Sequence, residues 1–149
     1  MNGYEISTDH ARLDLRAIHA YLVRSYWSPE IPLEIVERAA LNSLCFGVYE
    51  TARGAQVGFT RVVTDYATFA YLCDVYVLEE HRGHGLSKWM MREVMAHPAL
   101  ARARRAMLAT RDAHRLYEQF GFVVAGKAGN LMEIVRPDSY RVPAGTDIP

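Results

Sequence analysis

The chain reads as an α+β protein, a mixed and mostly antiparallel sheet of about six to seven strands flanked by about four helices. Three observations predict this. Apolar runs rich in β-branched and aromatic residues recur at 45–50 (CFGVYE), 55–65 (AQVGFTRVVTD) and 69–78, separated by turn residues at Ala52-Arg53-Gly54 and Tyr66–Thr68, the pattern of an antiparallel meander. The third run leads through a basic glycine turn, Arg82-Gly83-His84-Gly85, into a stretch where Leu86, Trp89, Met90, Glu93 and Val94 fall at helical spacing. A short buried run, AMLAT (106–110), follows that helix, so 70–78 and 106–110 form a βαβ unit and lie parallel as neighbours.

The remaining elements follow in order. Tyr4–Ser7 fits a short opening strand, and Thr8 or Asp9 can cap what comes next. From Arg12 to Arg24 the apolar positions Leu15, Ile18, Ala20 or Tyr21 and Leu22 keep a helical period. SYWSPEIP (25–32) breaks this helix through Pro29 and Pro32, and a second helix runs from Pro32 or Leu33 to about Asn42. Beyond the third helix, His97-Pro98 ends the periodic pattern and ALARARR reads as a polar connector. Asp112 is placed to cap a helix from Ala113 to about Phe120, which Gly121 ends. Strands are expected at 122–125 and 131–136, and 137–149, with three prolines and no periodicity, reads as an irregular extension of one domain spanning 1–149.

Composition narrows the function. Half of the 149 residues are hydrophobic, enough for a proper core, and 17 basic residues balance 17 acidic ones. A neutral chain has no electrostatic footprint for nucleic acid or an anionic membrane surface. No apolar run approaches the roughly 18 residues of a membrane span, and MNGYEISTDHARLDL lacks the basic and apolar regions of a secretory signal. The two cysteines, Cys45 and Cys73, sit in strand-like runs as small hydrophobes, which points to a reducing compartment and a cytoplasmic protein. His81 and His84 have no third ligand at a recognisable distance and no cysteine cluster, so no metal is expected.

Strand, glycine turn, helix is the arrangement that presents backbone N–H groups and a helix N-terminus to a phosphate. Gly83 and Gly85 permit positive φ, and Arg82 adds a permanent cation. The bland alternative is a tight connection that binds nothing. The Walker spacing GxxxxGK[ST] is absent, and a dinucleotide GxGxxG would need glycine where Lys88 stands.

The run VYVLEEHRGHGLSKWMM resembles the acetyl-CoA-binding segment of the GNAT N-acetyltransferase superfamily, [QR]-x-x-G-x-[GA], on Arg82, Gly85 and Ser87, the last departing from the usual Gly or Ala. DAHRLYEQFGF resembles that family's later A-x-x-L-Y-x-x-x-G-F motif at Ala113, Leu116, Tyr117, Gly121 and Phe122, with Thr110 where asparagine often stands. The resemblance covers roughly 46–124. It implies a three-layer fold whose two parallel strands splay into a V-shaped slot for the pantetheine arm.

It also implies roles. Acetyl-CoA is the co-substrate, its phosphates held by backbone around Arg82, Gly83, His84, Gly85, Ser87 and Lys88. The thioester carbonyl goes to N–H groups at Val75, Tyr76 and Val77, exposed by a local irregularity of the strand. Tyr117 becomes the general acid for the departing thiolate, against the alternative of a packed ring with its hydroxyl on a carbonyl. Asp74, an acid inside an apolar strand and on one face with Leu72 and Tyr76 by alternation, is the candidate base; the alternative pairs it with an arginine. Tyr26 and Trp27 either anchor their loop or line the acceptor pocket, with Glu133 a weaker candidate there. The expected reaction is direct acetyl transfer to a primary amine of a small molecule, with a protein or peptide acceptor, or a non-catalytic acyl-CoA sensor, as alternatives. Homodimerisation through the final strand and tail is left open.

Overall fold

Five strands hydrogen-bond in sequence order in the computed structural model, which describes residues 1–141. They are β1 (Tyr4–Ser7), β2 (Leu44–Glu50), β3 (Gln56–Thr64), β4 (Phe69–Val77) and β5 (Arg105–Leu108). The first three junctions are antiparallel and β4–β5 is parallel, as the βαβ unit requires. The expected strands at 122–125 and 131–136 are not formed, so the sheet has five strands instead of six to seven. Both runs have strand-forming composition, but a strand exists only where an edge pairs with it, and neither run lies on the edge of β5.

Helices α1 (Leu15–Leu22) and α2 (Leu33–Leu41) cover one face of the sheet. Helices α3 (Leu86–Ala96), α4 (Pro98–Ala101) and α5 (His114–Glu118) cover the other. Alternation sorts the strand residues between the two: Leu44, Phe46, Val48, Val62 and Leu72 pack against Leu86, Met90, Met91 and Val94 of α3. On the opposite face Cys45, Phe59 and Tyr76 meet Ile18 and Leu22 of α1 and Val36 and Ala40 of α2.

Several boundaries differ from the sequence reading, each for a local reason. The expected 12–24 helix is a 3-10 turn at His10–Arg12 followed by α1, because Asp14 accepts the Ala17 N–H and starts a new helix there. The 98–104 connector contains α4, started by Pro98 at the first helical position and by the His97 ring accepting the Ala99 N–H. Asp112 does not cap α5; Thr110 Oγ1 takes the Ala113 N–H at 3.0 Å. Residues 137–141, read as irregular, include a 3-10 turn at Ser139–Arg141, and Tyr140 packs on the α1–α2 cluster. The rest of that expected tail, 142–149, lies outside the described residues.

Candidate active site

The site is built where β4 parts from β5. Their pairing runs from Phe69–Arg105 to Leu72–Leu108 and stops, while β4 continues to Val77. The N–H and C=O groups on that edge of Cys73–Val77 therefore face an opening instead of a neighbouring strand. A cleft of about 380 Å³ lies there, walled by Tyr26, Trp27, Tyr71, Asp74, Val75 and Tyr117 together with the chain after β5.

On its other side β4 carries a bulge. The register against β3 jumps from Arg61–Cys73 to Phe59–Tyr76, leaving Asp74 and Val75 opposite Thr60 alone. Asp74 takes the left-handed conformation, φ +56°, which aspartate tolerates better than most residues. The extra residue reverses the alternation. Leu72 points into the α3 core, whereas Asp74 and Tyr76 face α1 and α2, so the expected sharing of one face by Leu72, Asp74 and Tyr76 is corrected for Leu72.

The Asp74 carboxylate is 8% exposed and has two partners. Arg61 Nε donates to Oδ2 at 2.7 Å and Trp27 Nε1 donates to Oδ1 at 3.3 Å. Arg61 also donates to Ser43 Oγ at 3.3 Å. A lone arginine inside the apolar β3 run was a visible sequence signal for this partner; what the sequence lacks is the register that brings residues 61 and 74 together. Trp27 thus both holds Asp74 and lines the cleft, and Tyr26 meets its indole edge-on, with centroids 5.0 Å apart. Arg111, not singled out in the sequence, lies with its guanidinium 4.0 Å from the Tyr26 ring centroid, and its backbone N–H donates to the Tyr26 hydroxyl at 3.4 Å. Glu133 is not part of the cleft wall.

Tyr117 is buried on α5, and its ring meets Phe122 in a T-shaped contact. Burial pushes its hydroxyl up to about 12, so the protonated form prevails at neutral pH. It lines the same cleft as Asp74 and Val75. The Cys73 thiol, also at the cleft, is pushed up by burial to about 12 and is a poor nucleophile in that state.

The glycine turn lies beyond the end of β4. Gly83 (φ +82°) and Gly85 (φ +75°) adopt a conformation that excludes most side chains, and Gly85 is the N-cap of α3. No side chain caps this helix, whose first internal bond runs from the Trp89 N–H to the Gly85 carbonyl. The amides of Leu86, Ser87 and Lys88 are therefore left for an outside acceptor. Arg82 is directed elsewhere than a free phosphate ligand would be: its Nε donates to the Val77 carbonyl at 3.0 Å and its Nη2 to Tyr21 and Glu79. Arg24 pairs with Glu79, and Tyr21 stacks on Tyr76 with centroids 3.8 Å apart, so α1 is fastened to the turn. His84 Nδ1 is 3.2 Å from the His81 carbonyl oxygen. Among the described residues no group of three or more His, Cys, Asp or Glu side chains is arranged to hold a metal, and no helix is long and apolar enough to cross a membrane.

Residues 42–124 match the model of the acetyltransferase (GNAT) domain. A protein of Gibberella zeae named as a putative acetyltransferase is 35% identical, covering 76% of this chain and 75% of the relative. A crystallised protein of Xanthomonas campestris pv. campestris, described as a putative acetyltransferase of the GNAT family, is 49% identical with a TM-score of 0.89, covering 95% of this chain and 99% of its own. A GNAT-family acetyltransferase of Brucella melitensis, solved in complex with acetyl-CoA, shares the fold at 23% identity and a TM-score of 0.64, covering 83% of this chain and 85% of its own.

Proposed function

The chain belongs to the GNAT acetyltransferase family, and we propose that it moves the acetyl group of acetyl-CoA directly to a primary amine of a small molecule. The observation that carries this reading is that a single cleft, opening where β4 leaves β5, is lined by Asp74, the bulged Val75 and Tyr117. The free amides at the start of α3 and the positive-φ glycines suit a pyrophosphate, with Gly83, His84, Gly85, Ser87 and Lys88 supplying backbone and the helix dipole adding attraction. Arg82 serves this cradle by fixing the turn to β4 and α1.

In the proposed reaction, backbone N–H groups of Val75–Val77 on the unpaired edge of β4 polarise the thioester carbonyl. The amine enters along the wall formed by Tyr26 and Trp27. Asp74 accepts its proton, directly or through a water, and the neutral amine attacks the carbonyl carbon. The C–S bond breaks as the tetrahedral centre collapses, Tyr117 donates its phenolic proton to the departing thiolate, and the proton left on the new amide nitrogen returns through water to the Tyr117 phenolate, so amide and thiol both leave neutral. A buried tyrosine that is protonated at neutral pH, with its ring in the cleft wall, suits that step. The raised Cys73 thiol argues against an acetyl-cysteine intermediate.

The test is thiol release from acetyl-CoA over a panel of small amines, amino acids and short peptides, with acetyl-CoA affinity measured in parallel. Turnover of a small amine is expected, with Tyr117→Phe lowering kcat on the order of a hundredfold while acetyl-CoA binds as before. Turnover of peptides alone would move the acceptor to the protein class. Failure to bind acetyl-CoA, or full activity in Tyr117→Phe, would overturn the assignment.

A further inference from the structure

The loop between α1 and α2 reaches both lips of the cleft through two neighbouring rings. Trp27 turns to β4, where its indole N–H donates to Asp74 Oδ1 at 3.3 Å. Tyr26 turns to the chain that follows β5. There its hydroxyl accepts the Arg111 backbone N–H at 3.4 Å, and its ring lies against the Arg111 guanidinium, 4.0 Å from centroid to Cζ. The two rings meet edge-on. One rim of the cleft is therefore a continuous series of carboxylate, indole, phenol ring and guanidinium, all four in its wall. Opposite charges stand at the two ends, and apolar rings lie between them. Tyr26 and Trp27 remain 49% and 39% exposed although each is tied down, so two large rings are held rigid on an open face.

The two charged ends differ in how they are paired. Asp74 has its own cation in Arg61, whose Nε lies 2.7 Å from Oδ2. Arg111 has only the adjacent Asp112 carboxylate at 3.7 Å, too far for a hydrogen bond, and the two side chains are 66% and 68% exposed. An ion pair of that kind contributes little. Among the described residues no acceptor takes a hydrogen bond from the Arg111 side chain. A guanidinium lying against a ring keeps its N–H donors directed outward in its own plane, the geometry that binds a carboxylate through two parallel bonds. Tyr26 fixes both the backbone and the side chain of Arg111, so that geometry is set before anything binds. With Arg61 behind Asp74 and Asp112 beside Arg111, the wall is neutral overall and matches neither a polycation nor a polyanion.

We infer that the acceptor is an ω-amino carboxylate, an amine separated from its carboxylate by an apolar spacer of alkyl or aryl carbon; the inference rests on the reading that this cleft transfers acetyl groups to a small amine. Asp74 takes the amine end, Trp27 and Tyr26 lie along the spacer, and Arg111 holds the carboxylate. Arg111 is thereby the specificity-determining residue and Tyr26 its positioning residue. Two rings stand between Asp74 and Arg111, so an α-amino acid, whose charged groups are joined by one carbon, is too short to lie along both. A polyamine would set a second ammonium against the guanidinium. Anchoring the acceptor at both ends also keeps its nitrogen at the carbonyl it attacks.

Matched amines isolate the carboxylate: ε-aminocaproate against hexylamine, and para-aminomethylbenzoate against benzylamine, with glycine and spermidine as the short and polycationic members. Thiol release from acetyl-CoA gives kcat and KM for each, and calorimetry of the same amines with CoA bound reads the preference without chemistry. In the wild type the carboxylated member of each pair is expected to bind more tightly and to have the lower KM, by about tenfold. Arg111→Gln is expected to abolish that ratio through KM and not kcat, and Arg111→Glu to reverse it. Tyr26→Leu, which removes the ring under the guanidinium, is expected to shrink it. A wild type that treats matched amines alike, a preference for glycine or spermidine, or a ratio that survives Arg111→Gln would overturn the inference. Binding with the expected preference but without thiol release would refute acetyl transfer to these amines and uphold the recognition of their carboxylate, so the two readings fail separately.

Discussion

Arg61→Met is the most informative single change in the sheet. Methionine keeps the apolar stem of the arginine but removes the cation 2.7 Å from Asp74. The two side chains are 20% and 8% exposed, so the carboxylate left behind is mostly buried and retains only the Trp27 N–H at 3.3 Å. Stranding one member of a buried pair costs about 3–5 kcal/mol, and the partial exposure of Arg61 places the expectation at about 3 kcal/mol. For a chain of this size that lowers Tm by roughly 6–12 °C. Arg61→Met/Asp74→Asn removes both charges, and asparagine also tolerates the left-handed backbone at 74, so the double variant is expected to regain at least about half of the loss. Scanning calorimetry and urea unfolding of the wild type, both single variants and the double variant measure the coupling directly. A loss below about 1 kcal/mol in Arg61→Met, or a double variant no better than the single, would refute the argument that the pair shields a buried charge.

Two further outcomes are expected. Gly85→Ala and Gly54→Ala both place a Cβ at positive φ, +75° and +67°, and each is expected to cost roughly 1–2 kcal/mol of stability. Titration calorimetry should find acetyl-CoA binding weakened only by Gly85→Ala, because Gly54 lies in the β2–β3 turn; equal weakening by both would sink the cradle. At alkaline pH the ordinary values of 9.0 for Cys45 and Cys73 and 10.0 for Tyr49 and Tyr117 are all raised by burial to about 12 in the folded chain. Folded-state values above the unfolded ones mean that the unfolded chain loses protons first. Stability is therefore full below about pH 9 and falls as pH rises towards 12; urea midpoints that stay flat over that window would contradict the burial assigned to these groups.

The parts of this molecule legible in its sequence are the ones set by local chemistry. The alternating runs of β2, β3 and β4, the proline break after α1, and the glycine turn that opens α3 each announce themselves within a dozen residues. The missing strands show the limit. Phe122–Ala125 and Leu131–Arg136 have the composition of strands, but pairing is decided by a distant edge, and composition carries no address. The same holds for Asp74. Its charge in an apolar run marked it as unusual, while the bulge that swings it towards Arg61 depends on a register between two strands. Arg82 shows the same limit: a cation beside a phosphate-type turn is visible in the sequence, but the Val77 carbonyl, Tyr21 and Glu79 that take donors of its side chain are not.

The bulge has one more implication. Leu72 lies on the α3 side and Asp74 on the side of α1 and α2, after which Val75, Tyr76 and Val77 alternate again in the ordinary way. Striking Asp74 from the chain would leave every other residue of β4 on the face it already occupies and would restore an unbroken ladder. The strand is thus one residue longer than the architecture requires. The surplus position places a left-handed backbone and a desolvated charge at the wall of the cleft, so the cost of both falls on the rest of the fold.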